Sequence, residues 1–266
     1  LGVDDSKTFT SLLNRDTTNT WWNFGVPGFS TDQECLLLER EVIRRHPDRV
    51  VIMLYLANDL LDNPRAVPLQ VRAPKPYFVN EGGRLRLENT PVPMPSGEGA
   101  PPMGDLSAAV LPPESRYAWR LAISQRSALL GRILASVPSG DLNEELERSL
   151  ADELALSALL VRRARDVSMQ AGAEFMVVLV PGRSWLVAPK SLSAQYQDFL
   201  RRNIRAHARG LLGIRVLDLP EALRSAHEAG SEALYHPREG HFTQAGHAVV
   251  AEFLRSDEGR VETAGE

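Results

Sequence analysis

The chain has 266 residues, 43% of them hydrophobic, so it can bury a full core and is excluded from the class of disordered proteins. Its formal net charge of -4 gives no general attraction to nucleic acid or to an anionic membrane surface, and we expect neither as a partner. Cys35 is the single cysteine, which excludes an intrachain disulfide and a thiolate metal cluster.

Two apolar runs in the first quarter of the chain have the composition of buried strands. Residues 21–24 form the first run, and residues 49–57, with the sequence RVVIMLYLA, form the second. Between them, Ser30 or Thr31 is a candidate N-cap for a helix whose apolar residues follow at helical spacing. The pattern predicts a strand, a helix and a second strand.

The second half of the chain repeats this pattern. Residues 173–182 (AEFMVVLVPG) and 213–220 (GIRVLDLP) predict two more strands. Amphipathic stretches at residues 115–134 and 143–171 predict helices, and the second has acidic residues early and basic residues late, as the helix dipole favours. The alternation predicts an α/β layered fold with a parallel sheet.

Residues 64–113 interrupt the alternation with a segment rich in proline and glycine, which we interpret as an insertion in a single domain of residues 1–266. Within it, the sequence YFVNEGGRLRLEN predicts a β-hairpin whose turn contains Gly82 and Gly83. Two interpretations stay open for the insertion. It is either a flexible surface excursion or a lid or wall of a substrate pocket, because long loops in compact domains are often functional.

Three segments fall at the sheet edge where parallel α/β folds bind ligands. NFGVPGFSTDQ follows the first strand, and its Gly25 and Gly28 would let the backbone turn sharply and bring an N–H close to a ligand. In LANDLLDN, Asn58 and Asp59 suit either a site or a helix cap. HPREGH precedes the last helix. Each segment alone also suits a plain turn, so their combination is the informative feature.

The order of these segments resembles the SGNH (GDSL-like) hydrolases: NxGxPGxSTDQ, then an apolar strand ending in ND, then an acid, a glycine and a histidine near the C-terminus. The resemblance covers most of the chain outside the insertion. It implies a three-layer α/β sandwich with a parallel, flavodoxin-like sheet and a serine nucleophile. Gly28 and Asn58 then correspond to the oxyanion donors, through a backbone N–H and a side-chain amide, and His241 corresponds to the general base.

The acid of the proposed triad is Glu239 in this chain, where the family usually has aspartate. The resemblance implies that Glu239 orients His241, as glutamate does in Ser-His-Glu triads. An acid two residues before the histidine must turn back to reach the ring, which Gly240 makes easier. The alternative is a solvated glutamate on a loop.

The family's nucleophile block, GDS at the end of an N-terminal strand, has no counterpart in these residues. The chain begins with LGVDDSKTFTSLL, which is similar to the segment that follows the block in the family. We therefore expect the first strand and the nucleophile to lie outside this chain, and the 266 residues alone to be inactive. Ser6 in DDS is the alternative nucleophile, but no apolar strand precedes it, and we interpret it as a cap of the helix containing Phe9 and Leu12.

We expect no metal and no cofactor. His236 and His247 could join His241 in a metal set, but no HExxH motif or close carboxylate pair supports one. GVPG lacks the lysine of a phosphate loop and the third glycine of the dinucleotide fingerprint. The other histidines suit helix ends or polar helical faces, namely His46, His207 and His227.

Together the residues and the resemblance predict a serine ester hydrolase acting on an acyl or acetyl ester, with a small molecule or a glycan as its substrate. Two alternatives stay open: a glycan O-acyltransferase, and a noncatalytic carbohydrate-binding or assembly protein with the same fold. No apolar run approaches the roughly 18 to 20 residues that span a bilayer, so we expect no membrane segment in this chain. The sequence leaves open the oligomeric state and whether the compartment is the cytoplasm or the exterior.

Overall fold

The protein is an α/β structure with a three-stranded parallel sheet. A computed structural model describes residues 2–16, 19–69, 73–93, 142–210, 214–237 and 240–262. The sheet has the order β1 (Arg49–Tyr55), β4 (Glu174–Val180) and β5 (Arg215–Asp218), and all pairs are parallel. Three of the four predicted strands and the parallel sheet are thus confirmed.

Helices connect the strands and cover both faces of the sheet. A short 3₁₀ turn at Asp5–Lys7 precedes them, and the segment after α2 continues as single π and 3₁₀ turns to Arg45. The described helices are α1 (Phe9–Asp16), α2 (Thr31–Leu37), α3 (Asp59–Asp62), α4 (Leu142–Ser149), α5 (Ala151–Gln170), α6 (Arg183–Val187), α7 (Leu192–Gly210), α8 (Leu219–Glu228) and α9 (Gln244–Glu262).

Two hydrophobic clusters lie on opposite faces of the sheet, because successive strand residues point to opposite sides. On one face, Ile52 and Val177 pack against α2, α5 and α7. On the other face, Val178 and Leu217 pack against α1, α8 and α9. The sheet is therefore the middle of three layers, which is compatible with a flavodoxin-like arrangement.

The predicted strand at residues 21–24 is wrong. These residues form no regular secondary structure, and Trp22 is 52% exposed. Instead of pairing with a strand, the Trp21 main chain bonds to one side chain: its N–H donates to Asn14 Oδ1 (2.7 Å), and its C=O accepts from Asn14 Nδ2 (2.9 Å). The predicted burial is also wrong, since none of residues 21–24 is buried. A strand needs a neighbour to bond to, and none pairs with this segment in the described structure.

The predicted hairpin is confirmed and is packed onto the domain. Strands β2 (Tyr77–Glu81) and β3 (Arg84–Glu88) are antiparallel, and Gly82 and Gly83 in the turn both have positive φ. Phe78 is only 1% exposed and joins the core beside α5, with the Arg163 guanidinium 5.0 Å from its ring centre. The flexible-excursion interpretation is therefore wrong for the hairpin, whereas residues 94–113 lie outside the described residues.

Of the two helices predicted in the second half of the chain, one lies in the described residues and one lies outside them. Residues 143–171 are helical, in two helices, α4 and α5, that meet at Leu150. The predicted helix at 115–134 lies outside the described residues. Across the described ranges, no helix has both the length and the apolar character that crossing a bilayer requires.

Candidate active site

The carboxyl ends of β1 and β4 bring two polar segments to one edge of the sheet. The segment after β1 begins beside β4, since the Leu56 N–H donates to Val180 O (2.8 Å). The loop that contains HPREGH is tied to the same edge, because Tyr235 Oη donates to the main-chain oxygen of Pro181 (2.6 Å). Pro181 directly follows β4.

Asn58 is held at this edge with its amide oriented by a carboxylate. The residue is 7% exposed and has φ −143° and ψ −17°. Its Nδ2 donates to Asp62 Oδ2 (2.7 Å), and Asp62 Oδ1 accepts from the Leu69 N–H (2.7 Å). An amide nitrogen carries two N–H groups, and Asp62 takes one of them. The other can donate to a developing negative charge on a substrate oxygen.

Asp59 holds the backbone at the end of β1. Its Oδ2 accepts from the Tyr55 N–H (2.7 Å), so the strand ends on a side chain rather than on another strand. Burial raises the pKa of the Asp59 carboxyl, and nearby Glu34 raises it further. The alternative interpretation of Asn58 and Asp59 as a turn is correct for Asp59, whose carboxylate has a local structural partner.

Gly28 lies in the turn that leads into α2, and its φ of +83° is the left-handed conformation that favours glycine. The turn is closed by the Phe29 N–H, which donates to Val26 O (3.1 Å). The Gly28 N–H makes no hydrogen bond to another described residue. It is thus a free backbone donor, as the interpretation of Gly28 as an oxyanion donor requires.

A buried ion pair and a hydrogen bond hold the start of α2 against the insertion and against the end of α3. Asp32, at the start of α2, accepts from Lys75 Nζ, and both side chains are almost completely buried. The Asp32 main-chain N–H also donates to Asn63 Oδ1 (3.2 Å), which lies just after α3. Burial raises the pKa of the Asp32 carboxyl to about 6, although the Lys75 ammonium lowers it. The hydrogen bond thus connects α2, which follows the Gly28 turn, to the end of α3, which follows Asn58.

His241 is exposed on the loop before α9. The loop is closed by two main-chain bonds: the His236 N–H donates to His241 O (2.8 Å), and the Gly240 N–H donates to His236 O (3.3 Å). Gly240 has φ +70°, which confirms the expected sharp turn before the histidine. Glu239 lies outside the described residues, and its role as the orienting acid stays a prediction.

The structure also places the alternative nucleophile and the candidate metal ligand His247. Ser6 is exposed in the short 3₁₀ turn, and the cap position it was assigned belongs to Thr8, whose Oγ1 accepts from the Ser11 N–H (3.4 Å). His247 Nδ1 accepts from the Phe9 N–H (3.3 Å), so it serves helix packing. Among the described residues, no group of three or more His, Cys, Asp or Glu is arranged to hold a metal ion.

Sequence reasoning missed Asp62, Asp32 and Lys75 as parts of this site. Asp62 follows Asn58 by four residues, the spacing that places two side chains on one side of a helical turn, so the signal was present in NDLLDN. Lys75 is 43 residues from Asp32 and lies in the insertion. No local pattern connects that pair.

Glu34 is a second buried carboxylate near this edge, and it predicts an unusual pH dependence of stability. Its Oε2 is buried without a hydrogen-bond partner, and burial raises the pKa of this carboxyl to about 8, with Asp32 raising it further. A raised folded-state pKa stabilises the fold below the unfolded pKa, and this stabilisation is lost as pH rises through about 8.

We therefore expect Glu34→Gln to gain stability relative to the parent as pH rises from about 5 to about 9, by roughly 5 °C or more in Tm. Thermal unfolding of both proteins at three pH values measures the difference. Glu41→Gln, an exposed acid that follows on the same segment, serves as the control and should show no such trend. A constant difference between the Glu34→Gln variant and the parent would contradict the raised pKa.

Comparisons with family models, with curated proteins and with solved structures give no match to this chain. The functional assignment therefore depends on the motifs and on the geometry of the sheet edge.

Proposed function

We propose that this protein is a serine ester hydrolase of the SGNH type, acting on an acyl or acetyl ester of a small molecule or a glycan. The observation that carries the proposal is the Asn58 amide, fixed by the Asp62 carboxylate at the carboxyl end of β1. A tetrahedral intermediate needs donors that are oriented before charge develops, and a carboxylate that accepts one N–H of an amide fixes where the other points.

The remaining roles follow from the resemblance and are supported by position. Gly28 supplies a second donor through a free N–H at positive φ. His241 takes the proton from the serine as it attacks the ester carbonyl and returns it to the departing alcohol. Water then attacks the acyl-enzyme with His241 again as the base, which releases the acid and restores the serine. Glu239 orients the imidazole in this proposal.

The proposed nucleophile is a serine that follows a strand outside these 266 residues. The test is hydrolysis of p-nitrophenyl acetate by two proteins: residues 1–266 alone, and the same residues preceded by a strand that ends in Gly-Asp-Ser. We expect turnover only from the second protein. Turnover by residues 1–266 that disappears in Ser6→Ala would instead assign the nucleophile to Ser6. Turnover by neither protein would contradict the esterase proposal.

An acyltransferase would be detected in the same assay. A sugar alcohol is added to the assay of the longer protein. If the protein is a hydrolase, the rate of nitrophenol release should not change and acetate should remain the product. An acetylated sugar as the main product would replace the hydrolase assignment with a transferase that uses the same residues.

A substitution at Asp62 tests the proposed oxyanion donor while leaving Asn58 itself unchanged. We expect Asp62→Asn in the serine-bearing protein to lower kcat by roughly 10- to 100-fold while KM changes little, because the Asn58 amide loses its orienting acceptor. Asp152→Asn, at an exposed position on α5, is the matched control. A loss of kcat that accompanies a fall in Tm, and that disappears when the assay is run at a lower temperature, would instead assign Asp62 a structural role only.

A further inference from the structure

A glycine after β4 marks the point where three parts of the sheet edge meet. Gly182 lies two residues beyond the end of β4. A Cβ on Gly182 would lie 3.0 Å from Tyr55 Oη and 3.2 Å from the Ala57 Cβ, and it would also lie 3.4 Å from Gln197 Nε2. Gly182 thus brings the end of β1, the residue before Asn58 and helix α7 to one place.

Gln197 is a completely buried amide that holds the loop after β4. Its Oε1 accepts from the Gly182 N–H (2.6 Å). Its Nε2 donates to Ser184 Oγ (3.0 Å) and to Ser193 Oγ (3.3 Å). A buried amide whose oxygen and both N–H groups are bonded has one orientation, so Gln197 fixes the positions of the two serine hydroxyls.

The two serine hydroxyls retain one free O–H between them. Their oxygens are 2.9 Å apart and share a hydrogen bond. Each hydroxyl has a single proton, and both oxygens accept from Gln197, so the shared bond uses one of the two protons. No described residue accepts the other. Ser193 is exposed and Ser184 is half-buried, so this donor is open to a ligand.

The Tyr55 hydroxyl is a second free group at the same place. Tyr55 is half-buried, and its hydroxyl keeps contact with solvent and bonds to no described residue. Its distance from Gln197 Nε2 is at most the sum of the 3.0 Å and 3.4 Å that separate these atoms from the Gly182 Cβ position. Burial, and then nearby Tyr55, raise the pKa of Tyr235, which places Tyr55 beside the loop that leads to His241.

An exposed apolar side chain lies next to these hydroxyls. Ser184 and Val187 are three residues apart in α6, a spacing that places them on one side of a helix, and Val187 is 44% exposed. Binding sites for small molecules combine apolar surface with a few oriented polar groups. A sugar ring presents this combination, with hydroxyls at its edge and C–H groups on its faces.

We propose that Tyr55, Ser184, Ser193 and Val187 form a subsite that binds a neutral sugar unit. Tyr55 Oη and the free serine O–H bond to two hydroxyl groups of the sugar, and Val187 contacts its C–H face. The polar groups are uncharged, so the subsite suits a sugar without an ionic group. Because the subsite lies beside Ala57 and Asn58, the bound sugar carries the ester in the proposed reaction, and that clause alone rests on the proposed function.

The test measures sugar binding to residues 1–266, which requires no nucleophile. The probes are three neutral disaccharides, namely cellobiose, maltose and N,N′-diacetylchitobiose, each added to about 50 mM. Amide shifts of Gly182 and Ser184 are followed by NMR, with Phe175 at the other end of β4 as the internal reference. Cyclohexanol at the same concentration is the control solute, because it has a ring of similar size and one hydroxyl.

We expect at least one disaccharide to shift the Gly182 and Ser184 amides saturably, with a Kd of about 10 mM or below, while Phe175 changes little. Cyclohexanol should give no saturable shift, since it cannot bond to both free hydroxyls. Absence of binding by all three disaccharides would overturn the proposal. Cyclohexanol binding as tightly as the disaccharides would show an apolar site and would also overturn it.

Two conservative variants test the residues. Tyr55→Phe and Ser184→Ala each remove one hydroxyl and should raise the Kd by about 3- to 10-fold, the effect of losing one hydrogen bond. Tyr77→Phe, on the β2 strand of the hairpin, is the matched control and should leave the Kd unchanged. An unchanged Kd in both Tyr55→Phe and Ser184→Ala would place the sugar elsewhere and contradict the subsite.

The outcomes for the subsite and for the esterase are separable. Disaccharide binding that depends on Tyr55 and Ser184, without hydrolysis by the serine-bearing protein, would support the subsite and contradict the proposed function. Hydrolysis by the serine-bearing protein, without disaccharide binding, would support the proposed function and overturn the subsite.

Discussion

Replacing His241 with alanine in the serine-bearing protein should lower kcat for p-nitrophenyl acetate by about 1,000-fold or more. The proposed general base is then missing, and deletion of a triad member in serine hydrolases has effects of this order. His241 is exposed on its loop, so the substitution should leave Tm almost unchanged. The measurements are steady-state kinetics and thermal unfolding of the same preparation.

The matched control is His207→Ala. His207 is also exposed, on α7, where its Nδ1 lies 2.8 Å from the Asn203 main-chain oxygen. It should leave kcat within about twofold of the parent, since it lies on a helix surface away from the proposed chemistry. Retention of activity in His241→Ala would transfer the base role to another residue and contradict the proposed triad.

Of the substitutions predicted for this protein, Lys75→Met should cause the largest loss of stability. The change leaves the Asp32 carboxylate buried without its cation, and removing one partner of a buried pair costs about 3–5 kcal/mol. For a chain of this size, that corresponds to a fall of about 10 °C in Tm. The loss should be smaller at pH 5 than at pH 8, because burial raises the pKa of Asp32 and an uncharged carboxyl is cheaper to bury.

Two further variants test whether the loss comes from the ion pair. Arg86→Met removes ion pairs with Glu81 and Glu88 from an arginine side chain that is more than half exposed, and it should cost less than about 1 kcal/mol. The double variant Lys75→Met with Asp32→Asn should recover much of the loss, since it removes both charges. Additive losses in the double variant would show that Lys75 acts through packing rather than through Asp32.

The sequence predicted the strands that have partners and misjudged the one that does not. Apolar runs at β1, β4 and β5 identify buried strands because each run pairs with a neighbour that is also in the described chain. Residues 21–24 have a similar composition, but strand formation depends on backbone bonds to another segment. Composition cannot report whether a neighbouring strand is present, and without one Trp22 of this run is exposed.

Some residues of the candidate site could be predicted from local sequence, and others depend on contacts between distant segments. Asn58 and Gly28 could be found because short motifs set their local conformation, namely a strand end and a turn at positive φ. Asp62 could have been found from its four-residue spacing to Asn58. The Lys75–Asp32 pair could not, because it forms only when the start of the insertion folds back over α2.

Strand β1 is an edge strand of the described sheet, since only β4 pairs with it there. A seven-residue strand of sequence RVVIMLY, apolar and without proline, is a template for fibre growth when its edge is open. Solutions of residues 1–266 should therefore scatter light increasingly during storage. Solubility over days is thus a bulk property that reports the state of a single sheet edge.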